Sequence, residues 1–194
     1  KKLGRGSAVI DGLKLAKKKK FNTFIEMDAD FSHDPIEIKR NLEFFFKNKC
    51  DLLISSRYLK SSRIINWPIS RHILSYLANK LIKICLNIPI VDFTNGFRIY
   101  SLRSVNKVIK ECGKIGDGFI ILSEILLKIH LSNYKISEID TIFKNRIRGE
   151  SSVNFYLILQ SLFGLFKLIM LKHNFTKKIN LYIDEKKSFF KKNI

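Results

Sequence analysis

Apolar and polar positions change period in blocks along this chain, and each block predicts an element. Behind Gly4, Gly6 and Ser7, residues Ala8, Val9, Leu13 and Ala16 recur at helical spacing, and Lys17 to Lys20 supply cations suited to a helix C-terminus. Residues 21–27 form a short apolar run that reads as a buried strand and stops at Asp28 and Asp30. Asp34-Pro35 then has the form of a helix cap and a first-turn proline, opening a helix over residues 35–47 with Ile36, Leu42, Phe45 and Phe46 available for burial. Residues 51–55 read as a second buried strand with Ser56 and Arg57 at its end. Residues 60–68 read as a polar loop carrying the only Trp, and 69–87 as a long helix. Residues 92–100 look short and irregular around Gly96. A helix is expected over 102–112, a turn at 116–118, and an apolar segment around Glu124 over 119–131. Ile136, Ile139 and Ile142 alternate within a strand at 134–143, ahead of a charged loop at 146–152.

Residues 153–171 are the strongest apolar run. Asn154, Gln160 and Lys167 interrupt it, and a spanning helix needs about 20 predominantly apolar residues. One or two amphipathic helices, lying on a membrane or packed on the domain, are expected instead. The tail sets Phe175, Leu181, Phe189 and Phe190 among lysines, a composition suited to an anionic interface and equally to a partly disordered tail.

Charge narrows the partners. The net charge of +19 favours anions: nucleic acid, an acidic membrane surface or phosphorylated substrates. A coding bias towards Lys, Ile, Asn and Phe explains the same number without any partner. Cys50, Cys85 and Cys112 are widely spaced with no CxxC pair, so neither a zinc site nor a disulfide framework is implied. The chain opens on Lys1-Lys2-Leu3-Gly4, with no initiator Met and no signal-peptide pattern, and is expected to start within a longer protein.

Candidate chemistry starts at Asp28 and Asp30. Two carboxylates one residue apart can both reach one hard cation, and Mg²⁺ accepts one or two carboxylates, completing its shell with water and substrate phosphates. Surface turns are also rich in Asp, but a strand before the pair and a cap after it place it where α/β sheets bind phosphate-linked ligands. Arginines then recur at element ends: Arg57, Arg71, Arg98, Arg146 and Arg148. In a chain that otherwise takes its positive charge from Lys, these rigid donor forks point to phosphate oxygens.

Six segments occur in order: Leu3-Gly4-Arg5-Gly6-Ser7-Ala8, Met27-Asp28-Ala29-Asp30-Phe31-Ser32-His33-Asp34-Pro35, Ser55-Ser56-Arg57-Tyr58, Asn66-Trp67-Pro68-Ile69-Ser70-Arg71, Asp92-Phe93-Thr94-Asn95-Gly96-Phe97-Arg98, and Phe143-Lys144-Asn145-Arg146-Ile147-Arg148-Gly149-Glu150-Ser151. Together they resemble the dolichol-phosphate (polyprenol-phosphate) mannosyltransferases among the family-2 glycosyltransferases. The resemblance implies an α/β sandwich of the GT-A type over residues 1–152, followed by amphipathic helix and basic tail over 153–194. It implies that Asp28 and Asp30 hold Mg²⁺ or Mn²⁺ against the diphosphate of GDP-mannose, with Ser32 as a further metal contact. Arg57, Arg71, Ser75 and Arg146 match positions that hold the lipid phosphate and the donor phosphates, with Arg148 as a helper. Asp92 and Arg98 match a loop below the sugar. Glu124 matches a family acid, with a helix-buried acid paired to an arginine as the alternative. The product would be an inverted polyprenyl-phosphate sugar, made at the cytoplasmic face of a membrane by a peripheral protein.

The family's Pro-x-Tyr-Asn-Glu and Asp-Asp segments, which hold base and ribose, do not occur in this sequence, and Ser152 stands where relatives commonly have Lys. An N-terminally truncated domain is therefore expected, inactive alone or completed by a partner chain that supplies the nucleotide-binding half. Two other classes compete. Phosphatases of the haloacid-dehalogenase type also follow an apolar strand with Asp-x-Asp, but need a later acidic pair of which Gly116-Asp117-Gly118 offers only one acid. A basic nucleic-acid-binding protein fits the charge, yet no nucleic-acid motif occurs, so no nucleic-acid partner is expected.

Overall fold

The computed structural model describes residues 4–116, 118–146 and 155–192. Strands β1 (Thr23–Glu26), β2 (Leu52–Ser56), β4 (Arg98–Ser101) and β5 (Ile136–Asp140) form one sheet in the order β1-β4-β2-β5. Strands β3 (Arg63–Ile65) and β6 (Ile142–Lys144) pair in parallel as a second, small sheet. The helices are α1 (Gly4–Lys18), α2 (Glu37–Lys47), α3 (Ile69–Leu86), α4 (Leu102–Glu111), α5 (Ile120–His130) and α6 (Phe155–Lys192).

Strand β4 runs antiparallel to both its neighbours, setting Arg98 opposite Glu26 on one side and Ile54 on the other. Strand β5 runs parallel to β2, with Ser56 opposite Asp140. One end of the sheet therefore gathers the C-terminal ends of β1, β2 and β5 and the loop that enters β4. The small sheet joins that end: Lys144 N donates to Ser32 O at 3.0 Å and Asn145 N to Ile65 O at 2.9 Å.

Alternation along the strands divides the core. Leu52, Ile54 and Tyr100 face a large cluster with α1, α4 and α5, which also takes in Leu165 and Leu168 of α6. Leu53 and Ile99 face the other way, onto Phe45 of α2. Burying each such side chain is worth about 1.5–3 kcal/mol, so a one-residue slip of β2 or β4 would exchange the two faces. Helix α6 approaches closely at Gly164, where a Cβ would lie 2.7 Å from Ile120 Cγ1.

The α/β class is as expected, but several elements are not. Residues 92–100 contain a central strand: Arg98, Ile99 and Tyr100 are wholly buried, and a buried arginine conceals the apolar run that marks a central strand. Part of the expected polar loop at 60–68 is β3. The expected strand at 134–143 breaks at Thr141, whose hydroxyl donates to Glu37 Oε2 at 2.5 Å while Ile142 N donates to Glu37 Oε1 at 3.0 Å. That buried acid holds the chain where it leaves one sheet for the other. Helix α2 buries Glu37, Asn41 and Phe45, leaving Ile36 and Phe46 exposed. In α1 the inner face is Gly6, Ile10 and Leu13, with Ala8 outside. A single helix covers Phe155–Lys192, and among the described residues no helix is long and apolar enough to cross a membrane.

Candidate active site

The acidic turn follows β1 directly. Phe31 adopts φ 63°, a left-handed conformation that turns the chain between Asp30 and Ser32. Asp28 Oδ1 lies 3.0 Å from Arg5 Nη2, and the same nitrogen donates to Glu26 Oε1 at 3.2 Å. Tyr100 in turn donates its hydroxyl to Glu26 Oε2 at 2.7 Å. A helix residue from the start of the chain thus holds the first acid of the turn. Gly96 makes room for it: a Cβ there would fall 1.9 Å from Arg5 Nη2 and 3.3 Å from Asp28 Oδ1. Asp30 Oδ1 accepts from Ser32 N at 3.0 Å and from the Ser32 hydroxyl, and its Oδ2 lies 3.8 Å from Arg146 Nε. Partial burial pushes the Asp30 carboxyl upward, but the Ser32 bonds and Arg146 outweigh it, so the group is held below the ordinary carboxylate value.

Opposite lies a shelf built on Asp92. Asp92 is fully buried and takes Arg57 in a two-pronged pair, Nε to Oδ2 at 2.8 Å and Nη2 to Oδ1 at 2.8 Å. It also accepts from the backbone of Arg57, Thr94 and Asn95. Burial opposes both charges, yet each partner outweighs it: Asp92 is lowered and Arg57 raised from their ordinary values. Arg98, also fully buried, gives its guanidinium to three carbonyls, those of Asn95, Leu122 and Phe93, at 2.8, 2.8 and 2.9 Å. The shelf is internally complete.

The third wall is aromatic and cationic. Arg71 Cζ stands 4.3 Å from the Trp67 ring centre, and Arg71 Nη1 donates to Asn145 Oδ1 at 3.1 Å. Arg57 Cζ lies 5.4 to 5.5 Å from the rings of Tyr58, Trp67 and Phe143. Burial, then the neighbouring charges of Arg146 and Arg57, lower the Arg71 pKa, so three guanidinium groups share one region. Ser75 accepts from the Tyr58 hydroxyl at 2.6 Å, one turn along α3 from Arg71.

His33, 2% exposed, packs edge-on between Phe97 and Phe143 at 5.2 and 5.0 Å. Neither ring nitrogen has a hydrogen-bond partner. Burial leads a shift of its pKa down to about 4, with Asp28, Arg57, Asp30 and Arg5 all close enough to act on it.

The fold therefore brings Asp28, Asp30, Ser32, Arg57, Arg71, Ser75, Asp92, Arg98 and Arg146 to one end of the sheet. Glu124 is bound differently from the arginine pairing considered for it: it accepts from Gly113 N at 3.0 Å at the α4–α5 turn, and burial raises its pKa. Arg148 lies outside the described residues, as does Ser152. Sequence reasoning missed Arg5, His33, Trp67 and Gly96 as site residues. All four stood inside the segments that carried the resemblance, which was the available signal.

A divalent cation fits the donor set on chemical grounds. Among the described residues no group of three or more acidic, histidine or cysteine side chains is placed to hold a metal ion by itself. Two carboxylates in one turn, with Asp30 held ionised, instead suit a cation completed by water and phosphate oxygens.

Comparison with known proteins bears on the same residues. Residues 1–109, which include the acidic turn, Arg57, Arg71 and the Asp92–Arg98 loop, match the family described as Glycosyl transferase family 2. The chain is 30% identical over 154 residues to a protein of Micrococcus luteus named undecaprenyl-phosphate mannosyltransferase, covering 78% of this chain and 61% of that one. It is 30% identical over 162 residues to the polyprenol monophosphomannose synthase of Mycolicibacterium smegmatis, covering 84% of this chain and 60% of that one. The chain thus spans about three-fifths of the length of these curated relatives.

Proposed function

The chain belongs to glycosyl transferase family 2, its α/β sandwich is of the GT-A type, and from that premise we propose that it transfers a sugar from a nucleotide-sugar donor to a polyprenyl phosphate. Mannose is the sugar we assign, on the names of the relatives, with GDP-mannose as the donor that the resemblance of the six segments implies. The observation that carries this reading is the meeting of an acidic pair, Asp28 and Asp30, with Arg57, Arg71 and Arg146 at one sheet end. Such a site can hold two anionic carriers side by side.

Asp28 and Asp30, with Ser32 beside them, would hold Mg²⁺ or Mn²⁺, which when bound neutralises charge on a departing nucleoside diphosphate. The acceptor is a phosphate monoester with a second pKa near 6. It is largely a dianion at neutral pH, so no general base is required of the protein. Arg71 and Arg146 bind and orient that phosphate, letting one anion approach another. Asp92 keeps Arg57 fixed beneath them. A phosphate oxygen forms a bond to the anomeric carbon as the bond to the diphosphate oxygen breaks with its electron pair. Displacement from the opposite face inverts the sugar.

A lipid acceptor also needs a surface, and two adjoining helices offer one. Ile69, Ile73 and Leu77 on α3 and Phe163, Phe166 and Met170 on α6 are exposed, with Arg71 and Lys167 among them. We assign peripheral association with an anionic membrane at its cytoplasmic face.

The test is transfer of radiolabelled mannose from GDP-mannose to a polyprenyl phosphate in vesicles, by this chain alone and with a nucleotide-binding half supplied, with Mn²⁺ or Mg²⁺ and with chelator. Product that appears with the cation, disappears with chelator and is lost in Asp30→Ala is expected. Transfer retained in folded Asp30→Ala would refute the assignment of the acidic pair.

A further inference from the structure

Three arginines share one region at the sheet end, and what balances each of them differs. Asp92 neutralises Arg57, and Arg146 lies 3.8 Å from Asp30. Among the described residues no carboxylate comes within ion-pair distance of Arg71. Its contacts are the face of Trp67, at 4.3 Å, and the neutral amide oxygen of Asn145. An aromatic face attracts a guanidinium through its quadrupole without accepting its N–H groups or cancelling its charge. A carboxylate in the same place would hold Arg71 equally well but would compete with any incoming anion.

The edge of the same ring carries a second peculiarity. Trp67 Nε1 is buried and has no hydrogen-bond partner. Buried tryptophan N–H groups usually find one, and leaving a donor unpaired costs free energy. The ring itself makes edge contacts with Phe143 at 5.2 Å and His72 at 6.3 Å.

From these two observations we infer that Trp67 is a positioning residue for the acceptor phosphate, its face presenting an uncancelled Arg71 and its indole N–H serving as one more donor to the anion. This rests on the polyprenyl-phosphate reading above. The division of labour is specific. The ring face sets the direction of the Arg71 fork, and the ring edge adds a neutral donor that tolerates either charge state of the phosphate.

Trp67 is the only tryptophan of the chain, so its fluorescence reports this site alone. The experiment titrates the full chain with a short, water-soluble prenyl monophosphate, reading binding by ³¹P line broadening and, in parallel, by indole fluorescence. Wild type is expected to show both signals with one affinity. Trp67→Phe keeps a ring face and loses the N–H, and should bind roughly tenfold more weakly. Trp67→Leu loses the face as well and should bind a further threefold or so more weakly. A structural role alone would leave the phenylalanine variant at wild-type affinity. Arg71→Ala keeps the indole, and its response should move to roughly tenfold to a hundredfold higher ligand concentration together with the phosphorus signal.

Phosphorus signals that saturate while the indole stays silent would overturn the inference, as would wild-type affinity in Trp67→Phe. If Trp67→Leu fails to fold, the phenylalanine variant and the wild-type fluorescence still decide. Absence of any ³¹P signal with wild type would overturn the acceptor reading itself and the role of Trp67 with it, a result distinct from binding that ignores the indole.

Discussion

Two parts of one site treat their polar groups in opposite ways. On the Asp92 shelf each carboxylate oxygen, the paired nitrogens of Arg57 and the whole guanidinium of Arg98 meet a partner inside the protein. Across from it, Arg71 has an aromatic face in place of an anion, while Trp67 Nε1, both nitrogens of His33 and Arg5 Nε are buried without hydrogen bonds. Orphaned buried polar groups are rare because they cost free energy. None of the buried atoms without hydrogen bonds among the described residues belongs to the Asp92, Arg57 or Arg98 side chains, and that separates the part of the site that holds shape from the part open to a ligand. Arginine is common to both walls, so residue type alone does not tell them apart; saturation does.

Substitutions can break this contrast. The largest effect is expected at Asp92. Asp92→Ala strands a buried guanidinium and should cost about 3–5 kcal/mol, lowering the melting temperature by roughly 10 °C; chemical and thermal denaturation followed by circular dichroism check it. A melting temperature unchanged from wild type would mean that the shelf is not the structural wall.

Next comes His33, through pH. Its folded pKa is depressed to about 4 from 6.5, so above pH 6.5 both folded and unfolded chains are neutral there and stability is full. As pH falls, the unfolded chain takes the proton first. Stability should drop by about 3 kcal/mol between pH 6.5 and 4 and level off below, at about 1.4 kcal/mol per unit. His33→Phe, which removes both orphaned nitrogens, should flatten that slope in urea titrations with chelator present. An identical slope would place the titration elsewhere.

Arg71→Ala sharpens the contrast from the other side. Stability should stay within about 0.5 kcal/mol, while affinity for a prenyl phosphate falls by roughly tenfold to a hundredfold. A large loss of stability would make Arg71 another shelf residue. Smallest is Gly96→Ala, whose methyl must displace the Arg5 guanidinium from Asp28. A cost of about 1 kcal/mol is expected, with weaker Mn²⁺-dependent binding of GDP-mannose in calorimetry. Unchanged metal-dependent binding would remove Arg5 from the site.

Periodicity and local chemistry determined much of this by themselves. Residues 21–27 announced β1, 69–87 announced α3, and Asp28 and Asp30 were marked by the strand that ends at them. Those signals are local, since burial of a run and the capping of a helix depend on neighbours in the chain. The ordered segments also marked Arg57, Arg71 and Arg146 as members of one site. What only the tertiary structure decided was the company each side chain keeps. Arg98 conceals a central strand because a buried charge looks polar until its carbonyl partners, 5 and 24 residues away in Phe93 and Leu122, are known. Arg5 reaches Asp28 across the sheet end, and Trp67 meets Phe143 only where β3 and β6 pair. Saturation of a polar group is a property of its surroundings, and surroundings assembled from distant segments leave no trace in local spacing.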